Sequence, residues 1–362
     1  MSGTRYDIVV VGAGMAGASL AAQLAGKARV LVLEGEAGPG YHTTGRSAAF
    51  WTESYGGPGV QPLTSASGPM LHALGVLHPR EALTIGTKAQ AGEVEAFAST
   101  YADLGIMVER LDRPALQRHI PGLRPEWTHG ALEPSCCDID VAALHQHYLT
   151  AMSRGGVDLW CRARLGSAER RPDGWRITLA DGRMVRCDTL VNAAGAWADP
   201  VALLAGAVPL GIAPLRRTIV QLRVQPEVPA NLPLVLDVAG RFYFKPESGR
   251  LWLSPHDETP SEPCDAAADE LDVATAIARL EHVVDWTVER VEHRWAGLRS
   301  FAPDRLPVYG FDAKVPGFFW FAGQGGFGIQ TAPAAAELAA TLLLGEPAGA
   351  IDPTPYLPAR FT

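Results

Sequence analysis

The chain has 362 residues, of which 47% are hydrophobic and 19% are charged, a composition typical of a globular protein of about two domains. The formal net charge of −8 argues against a nucleic-acid partner, because phosphate binding needs a basic surface.

The N-terminal region predicts a strand–helix–strand unit. Residues 6–11 (YDIVVV) indicate a short buried strand, residues 15–26 a helix rich in Ala and Leu, and residues 29–34 (RVLVLE) a second buried strand. This order at close spacing predicts a parallel sheet. The segment is apolar, but Asp7 and the regularly spaced glycines make it unlike a signal peptide.

Gly12, Gly14 and Gly17 form a GxGxxG motif between the first strand and the helix. The first glycine permits a tight turn, the second a close approach to a pyrophosphate, and the third close helix–strand packing. Glu34 ends the next strand, where a carboxylate can bind ribose hydroxyls. The unit therefore predicts a dinucleotide site.

The middle of the chain continues this mixed pattern. Residues 40–66 look irregular, residues 141–153 predict a helix capped by Asp138 or Asp140, and residues 174–187 predict a hairpin. Residues 188–195 (DTLVNAAG) predict another buried strand. Residues 189–215 are apolar, but a polar Asn, an Asp and three prolines make them a poor membrane span, so we expect no integral membrane segment.

Between about 209 and 256 the pattern changes to short strands separated by Pro and Gly, which predicts an antiparallel sheet. A helix is predicted over 266–282, a buried strand over 317–323, and a final helix over 329–345. The predicted fold class is α/β: a Rossmann-type dinucleotide-binding domain with an inserted antiparallel-sheet α+β substrate domain. The predicted domains are residues 1–70, 141–208 and 292–362 for the cofactor, and 71–140 and 209–291 for the substrate.

Two glycine-rich segments favour non-covalently bound FAD over NAD. Residues 38–50 (GPGYHTTGRSAAF) form a long polar loop where a nicotinamide enzyme usually continues into its next helix. Residues 321–330 (FAGQGGFGIQ) predict a further strand–glycine–helix junction, whose helix N-terminus can stabilise an anionic reduced flavin. The dinucleotide-binding domain is therefore predicted to be a Rossmann-type FAD-binding domain, glutathione-reductase-like.

Four motifs carry a family resemblance: GYHTTGRSAA, VNAAGAWAD, HRWAGLRSF and GQGGFGIQT. In order and spacing they resemble the D-amino-acid oxidase superfamily of FAD enzymes, which includes glycine oxidase and sarcosine oxidase, and most closely its bacterial D-arginine/D-amino-acid dehydrogenase branch. The cofactor contacts that the glycine motif and this resemblance imply are Gly12, Gly14, Ala16, Gly17, Glu34, Thr44, Gly45, Arg46, Ser47, Ala194, Gly195, Trp197, Gly325, Gly326, Phe327, Gly328, Ile329, Gln330 and Thr331.

Arg299 lies in an apolar run, although a guanidinium is costly to bury without an anion. The resemblance implies that it pairs with the substrate carboxylate; a structural ion pair with Asp304 or Glu292 is the alternative. The other implied substrate contacts are Tyr243, Tyr55, Arg217, Gly297 and Gln330. Ordinary packing remains an alternative for the two tyrosines.

The chain departs from these relatives at two pocket positions. Phe50 replaces a His, and Ala82 stands where the relatives have an acidic residue, with Glu81 beside it on a strand and therefore facing the other side. The pocket is thus expected to prefer neutral or hydrophobic side chains over D-arginine. Leu251, Trp252 and Leu253 occupy a region that holds an oxygen-activating Lys in sarcosine-oxidase-like relatives, which favours a dehydrogenase.

The resemblance implies oxidative deamination of a D-amino acid by hydride transfer from Cα to flavin N5, giving an imino acid and then a keto acid and ammonia. Oxidation of secondary amines of the glycine/sarcosine type or of 2-hydroxy acids, and a non-catalytic flavoprotein, remain alternatives. The electron acceptor (a quinone, a carrier or O₂) stays open.

Metal binding and disulfides are not expected. His145 and His147 are two residues apart on a predicted helix and face different ways, which makes a poor metal pair. Five cysteines without a framework spacing favour reduced thiols and a cytoplasmic location, with peripheral attachment to the inner membrane left open.

Overall fold

The helices surround two large sheets in the computed structural model, which describes residues 4–347 and 349–361. The helices are α1 Met15–Leu24, α2 Gln61–Ala73, α3 Ala91–Asp103, α4 Arg113–His119, α5 Val141–Arg154, α6 Ala198–Leu204, α7 Glu270–Glu281 and α8 Ala332–Leu344. Residues 1–3, 348 and 362, which belong to the predicted cofactor segments, lie outside the described residues.

The strands follow the same chain order and include two long ones that cross the second sheet. They are β1 Arg5–Val11, β2 Val30–Leu33, β3 Phe50–Trp51, β4 Leu77–Pro79, β5 Ala82–Thr87, β6 Glu109–Asp112, β7 Trp127–Glu133, β8 Cys137–Ile139, β9 Asp158–Trp160, β10 Leu165–Arg171, β11 Gly174–Leu179, β12 Met184–Asn192, β13 Ala213–Gln225, β14 Leu234–Asp237, β15 Tyr243–Glu247, β16 Arg250–Ser254, β17 Thr259–Pro260, β18 Thr287–Phe301, β19 Val308–Phe311, β20 Phe318–Ala322 and β21 Gln324–Gly325.

The first sheet has a parallel centre in the order β9-β2-β1-β12-β20. Residues 8–11, 30–33 and 318–322 of these strands are apolar without interruption, as expected where both faces of a sheet are buried. Ile8 and Val10 face a core shared with α1, α5 and α8, while Val9 and Val11 face a second core under β10–β12 and α6. The predicted strand–helix–strand unit is therefore confirmed.

The predicted hairpin over 174–187 is also confirmed, as β11 and the first half of β12. The strand predicted separately over 188–195 is the second half of the same strand. No turn residue interrupts 184–192, so β12 runs on into the parallel centre and ends at Asn192.

The second sheet has the order β21-β18-β13-β16-β15-β14-β5-β7-β6. Its neighbouring strands are antiparallel except for β14 and β5. Alternation along β15 gives the sheet two different faces. Phe242 and Phe244 pack into a core with α7, whereas Tyr243 points to the opposite face, toward the first sheet.

Two segments differ from their sequence-based descriptions. Residues 40–66 contain the short strand β3 and the start of α2, so they are only partly irregular. The helix predicted over 266–282 begins at Glu270, because the Asp269 side chain caps it by accepting a hydrogen bond from the Leu271 amide.

The domain boundary predicted at residue 292 falls inside β18. Along its length β18 pairs with β13 of the second sheet, from Thr287 opposite Gln225 to Phe301 opposite Ala213. Residues 292–301 therefore belong to the second sheet, and the other domain boundaries stay a prediction.

Candidate active site

The turn between β1 and α1 is shaped by glycines where a side chain has no room. Gly12 has φ +102°, and a Cβ there would lie 2.5 Å from the carbonyl oxygen of Ala193. A Cβ on Gly17 would overlap the backbone of Gly12. The N-terminus of α1, whose first N–H groups have no acceptor within the helix, is therefore brought to the cavity wall, where it can bind an anion.

Glu34 and Thr44 support this turn through their side chains. The two carboxylate oxygens of Glu34 accept hydrogen bonds from the amides of Ala13 and Glu36, each at 2.9 Å. The Thr44 hydroxyl accepts a hydrogen bond of 2.9 Å from the amide of Met15 in the first turn of α1. Each Glu34 oxygen keeps a lone pair for a further donor, such as a ribose hydroxyl.

A cavity of about 680 Å³ runs from the glycine turn to the inner face of the second sheet. Most of the predicted site residues line it together: Gly12, Gly14, Ala16, Glu34, Thr44, Arg46, Ser47, Phe50, Tyr55, Ala194, Gly195, Trp197, Arg217, Tyr243, Gly297, Arg299, Gly325, Gly326, Gly328, Ile329 and Gln330.

Five predicted site residues lie behind the wall instead: Gly17, Gly45, Ala82, Phe327 and Thr331. Gly17 packs against Gly12, and the Gly45 amide closes its loop by donating to the Gly40 carbonyl. The Phe327 ring packs against Tyr55, and the Thr331 hydroxyl donates to the Phe327 carbonyl. Ala82 is buried in the apolar cluster under Phe50. These positions shape the cavity without lining it.

Arg299 is 8% exposed and points into the second-sheet end of the cavity. Its Nη2 donates a hydrogen bond of 2.6 Å to the Tyr55 hydroxyl, and its buried Nη1 has no hydrogen-bond partner. The nearest carboxylate is that of Glu258, whose Oε1 lies 3.9 Å from Nη1. A buried guanidinium with an unused donor is prepared for an anion.

The alternative ion pair for Arg299 is wrong for both predicted partners. Asp304 pairs with Arg360, and Glu292 pairs with Arg223 and Arg250 on the outer part of the sheet. Glu258, which the sequence did not single out, lies near Arg299 because it follows β16 closely in the chain and returns beside the cavity.

Arg217 is a second buried guanidinium on the same face. It lies opposite Gly297 in the β13–β18 pairing. Arg299 is two residues further along β18, so the side chains of Arg217 and Arg299 lie on the same face of the sheet. Its Nε donates to the Asp257 carbonyl at 2.8 Å, while its Nη1 is also buried without a partner. Burial lowers the pKa of Arg217, and the positive charge of Arg299 lowers it further. Both groups therefore gain from an anion placed between them.

Tyr243 presents its ring to this pair of arginines, with the Arg217 guanidinium carbon 5.9 Å from the ring centroid. Burial raises the pKa of Tyr243, so the phenol is neutral and able to donate a hydrogen bond. His256 packs edge-on against the same ring at 5.7 Å. Burial and the two arginines lower the pKa of His256 to about 3, which keeps this imidazole neutral.

Apolar side chains form the floor of the second-sheet end. Phe50, Ala48, Ile219 and Tyr243 belong to one buried cluster and all line the cavity. Glu81 is not among the lining residues: its side chain is 42% exposed and lies 3.4 Å from His119. The expectation that Glu81 faces away from the pocket is therefore confirmed.

Gln330 lines the cavity, but both ends of its amide are occupied by protein groups. Its Nε2 donates to the Tyr55 carbonyl at 3.1 Å and to the Thr64 hydroxyl at 3.0 Å, and its Oε1 accepts from the Thr52 amide at 3.3 Å. Gln330 thus holds the turn that carries Tyr55 in place.

Sequence reasoning missed two groups near the cavity, His256 and Glu133. His256 carries no local signal, because its contact with Tyr243 depends on the pairing of β15 and β16. The signal for Glu133 was a single acid at the end of an apolar run (GALE), which indicates a buried carboxylate with hydrogen-bond donors around it.

The cavity suits a flavin dinucleotide at its first-sheet end. Glycines there leave room that a Cβ would fill, a helix N-terminus faces the cavity, and Glu34 has acceptor capacity left. The sequence profile of the family DAO, described as FAD dependent oxidoreductase, matches residues 7–342. The chain belongs to this family. It is an FAD-dependent oxidoreductase, and the residues named above at the first-sheet end would hold the cofactor.

Several known proteins resemble the chain over about half to nearly all of its length. The hydrogen cyanide synthase subunit HcnC of Pseudomonas aeruginosa is 26% identical, with 98% of this chain and 96% of the relative covered. The glycine oxidase of the same species is 31% identical over 48% of this chain and 46% of its own length. The crystal structure of glycine oxidase from Geobacillus kaustophilus superposes with a TM-score of 0.85 at 22% identity, covering 98% of both chains.

Among residues 4–347 and 349–361, no helix has the length and apolar character needed to cross a bilayer. The same residues contain no group of three or more His, Cys, Asp or Glu side chains placed to hold a metal ion. All five cysteines are free thiols.

Proposed function

We propose that the protein oxidises a small α-amino acid at its amine-bearing carbon, and that D-amino acids with neutral or hydrophobic side chains are its preferred substrates. The imino acid product then hydrolyses to a keto acid and ammonia. The observation that carries the proposal is the buried Arg299 guanidinium, which lines the cavity and whose Nη1 has no hydrogen-bond partner among the described residues.

Arg299 and its neighbours bind and orient the substrate by its carboxylate. A carboxylate at Arg299 gains charge-assisted hydrogen bonds in a site from which water is largely excluded. Tyr243 adds a neutral phenol donor, and Arg217 adds a second positive charge on the same face. Fixing one end of a small molecule in this way fixes the position of its Cα, which is the main contribution a protein makes to such a reaction. When bound, FAD supplies the two-electron acceptor.

The side-chain end of the substrate faces the apolar cluster of Phe50, Ala48 and Ile219. The carboxylates that line the described cavity are those of Glu34 and Glu36, both at the first-sheet end. A cationic substrate side chain such as that of arginine would therefore lie against this apolar cluster with no carboxylate in that part of the cavity wall, which is unfavourable. This supports a preference for neutral or hydrophobic side chains.

The test is a substrate panel with the purified holoprotein under anaerobic conditions. We expect D-alanine, D-valine and D-phenylalanine to bleach the flavin absorbance much faster than D-arginine. Lack of bleaching by every amino acid offered would contradict the proposal, and faster bleaching by the L series would contradict the assignment of D stereochemistry.

A second candidate function is oxidation of glycine or of secondary amines such as N-methylglycine. It is supported by the 31% identity to a glycine oxidase, and Arg299 would hold the carboxylate of these substrates equally well. The apolar cluster supports the first candidate, because a substrate with a side chain gains from contact with Phe50. Including glycine, N-methylglycine and D-lactate in the panel separates primary amines, secondary amines and 2-hydroxy acids.

The pH dependence of kcat/KM should follow the deprotonation of the substrate amine. The reaction needs the lone pair of the substrate amine. The pKa of His256 is lowered to about 3 and that of Tyr243 is raised above its usual 10. Neither group therefore causes an inflection in the pH profile of kcat/KM between about pH 6 and 9. We therefore expect kcat/KM to rise with pH and to level off once the substrate amine is deprotonated. A flat profile on a confirmed amine substrate would contradict this mechanism.

We further propose that electrons leave to an acceptor other than O₂. Leu251 and Leu253 are buried in the core, and Trp252 packs between Lys245 and Trp295. The Lys245 ammonium is itself bound by Asp138 and Glu247. Comparing reoxidation of the reduced protein by O₂ and by a soluble quinone tests this, and faster reoxidation by O₂ would contradict it.

A further inference from the structure

We propose that Glu133 is a positioning residue that holds Tyr55 on Arg299 and thereby sets the affinity for the substrate carboxylate. The inference rests on the proposed function, because it assumes that Arg299 binds a carboxylate. It concerns a side chain that does not line the cavity and that belongs to the far end of strand β7.

Glu133 is only 1% exposed, and its carboxylate is surrounded by donors from one short segment. Oε1 accepts from the amide of Glu53 at 2.8 Å, and Oε2 accepts from the hydroxyl of Thr52 at 2.6 Å and from the amide of Ser54 at 3.2 Å. The Ser54 hydroxyl also donates to Oε2, and the Ser135 hydroxyl donates to Oε1 at 3.2 Å. A buried carboxylate with this many donors is well compensated.

The segment that Glu133 holds is the one that presents Tyr55. Three consecutive residues, 52 to 54, are bound to one carboxylate, and the next residue carries the hydroxyl that accepts a hydrogen bond from Arg299. With the backbone fixed at 52–54, the Tyr55 ring has little freedom to leave Arg299. It is further packed edge-on between Phe50 at 5.0 Å and Phe327 at 5.5 Å.

Two different parts of the fold hold this turn. Gln330, beside the N-terminus of α8, binds the Thr52 amide and the Tyr55 carbonyl, whereas Glu133 belongs to the second sheet. Hydrogen bonds to an ionised carboxylate are about twice as strong as those to a neutral amide. Glu133 therefore provides the stronger restraint.

Because Tyr55 is held on Arg299, the substrate carboxylate has one fixed position at which it can bind Arg299. Tyr55 accepts one hydrogen bond from Arg299 Nη2 and so fixes the plane of the guanidinium, whose other N–H donors stay available to a ligand. If the 52–55 turn loosens, Nη2 loses its partner and the guanidinium can rotate between several positions. Binding a carboxylate then requires ordering both Arg299 and the turn, and affinity falls.

The test is Glu133→Gln in the holoprotein, with benzoate as a carboxylate that cannot be oxidised. Glutamine keeps the shape of the side chain, but one acceptor oxygen becomes an NH₂ group. This NH₂ donor then faces the donors of residues 52–54. We expect the Kd for benzoate, measured by the change in flavin absorbance, and the KM for the amino acid to rise about ten- to hundredfold. The effect on kcat should be smaller than the effect on KM.

A double-mutant cycle with Tyr55→Phe separates positioning from a general structural effect. If Glu133 acts through the Tyr55 hydroxyl, Glu133→Gln should change the benzoate Kd less than threefold in the Tyr55→Phe background. An equal loss in both backgrounds, or no loss in the unsubstituted protein, would overturn the proposal. Ser54→Ala removes a single donor to the same carboxylate and should raise Kd in the same direction if Glu133→Gln does not fold.

Asp312→Asn is the matched control, because this carboxylate also accepts hydrogen bonds from two backbone amides and an indole but lies in the β19–β20 hairpin away from the cavity. It should leave the benzoate Kd unchanged; an equal loss there would assign the Glu133 effect to general destabilisation and overturn the proposal. If benzoate binds but no amine reduces the flavin, the proposed function fails while the role of Glu133 is still measured. If the unsubstituted holoprotein binds no carboxylate, both fail.

Discussion

Replacing Arg299 with alanine is expected to lower kcat/KM for an amino-acid substrate by a factor of about 10² to 10⁴. The buried guanidinium supplies a positive charge and an unused donor, and both are lost together. Steady-state kinetics on the best substrate of the panel, with the flavin content checked by absorbance, measures the effect.

The conservative substitution Arg299→Lys distinguishes charge from geometry. An ammonium keeps the charge but cannot donate to Tyr55 and to a carboxylate in one plane, so an intermediate activity is expected. Arg294→Ala is the control, because Arg294 lies on the same strand but is exposed and pairs with Glu270. Normal turnover by Arg299→Ala would contradict the carboxylate role.

The proximity of Arg217 to Arg299 explains why the loss should be large. Two guanidinium groups on one face of a sheet repel each other, and burial increases the cost, as the lowered pKa of Arg217 indicates. Glu258 offsets part of this charge, but it is shared with Arg305 at 2.7 Å. A bound carboxylate relieves the repulsion, so substrate binding and stabilisation of the site are coupled.

The sequence predicted the cofactor end of the site well because its signals are local. A GxGxxG turn must lie between a strand and a helix, and Gly12 has the positive φ that this turn requires. The carboxylate at the end of β2 follows from strand length alone, and Glu34 indeed lies at the cavity wall.

The substrate end was less predictable because it depends on pairing between distant strands. Glu258, Glu133 and His256 contact residues that are distant in the chain and that only the tertiary fold brings together. The predicted domain boundary at residue 292 falls inside β18 for the same reason. One end of this 15-residue strand carries the site residues, and the other end belongs to the outer part of the second sheet. Local patterns carry no information about such a long continuous pairing.

Gly326→Ala is expected to lower kcat/KM by roughly 10²-fold while leaving the protein folded. A Cβ at position 326 would overlap the Arg299 guanidinium, which is the flexible end of a side chain and can move away. The backbone of Gly326 is not in the left-handed region, so alanine is compatible with its conformation. The substitution should therefore displace Arg299 rather than unfold the turn.

Thermal unfolding and kinetics together test this expectation. Gly92→Ala, where a Cβ meets open space, controls for the general effect of replacing glycine and should leave kcat/KM unchanged. In the Arg299→Ala background the guanidinium is absent, so adding Gly326→Ala should cost little further activity. A full additional loss in that background would show that Gly326 acts on the flavin or on the turn itself, because nothing would remain at Arg299 for the new methyl group to displace.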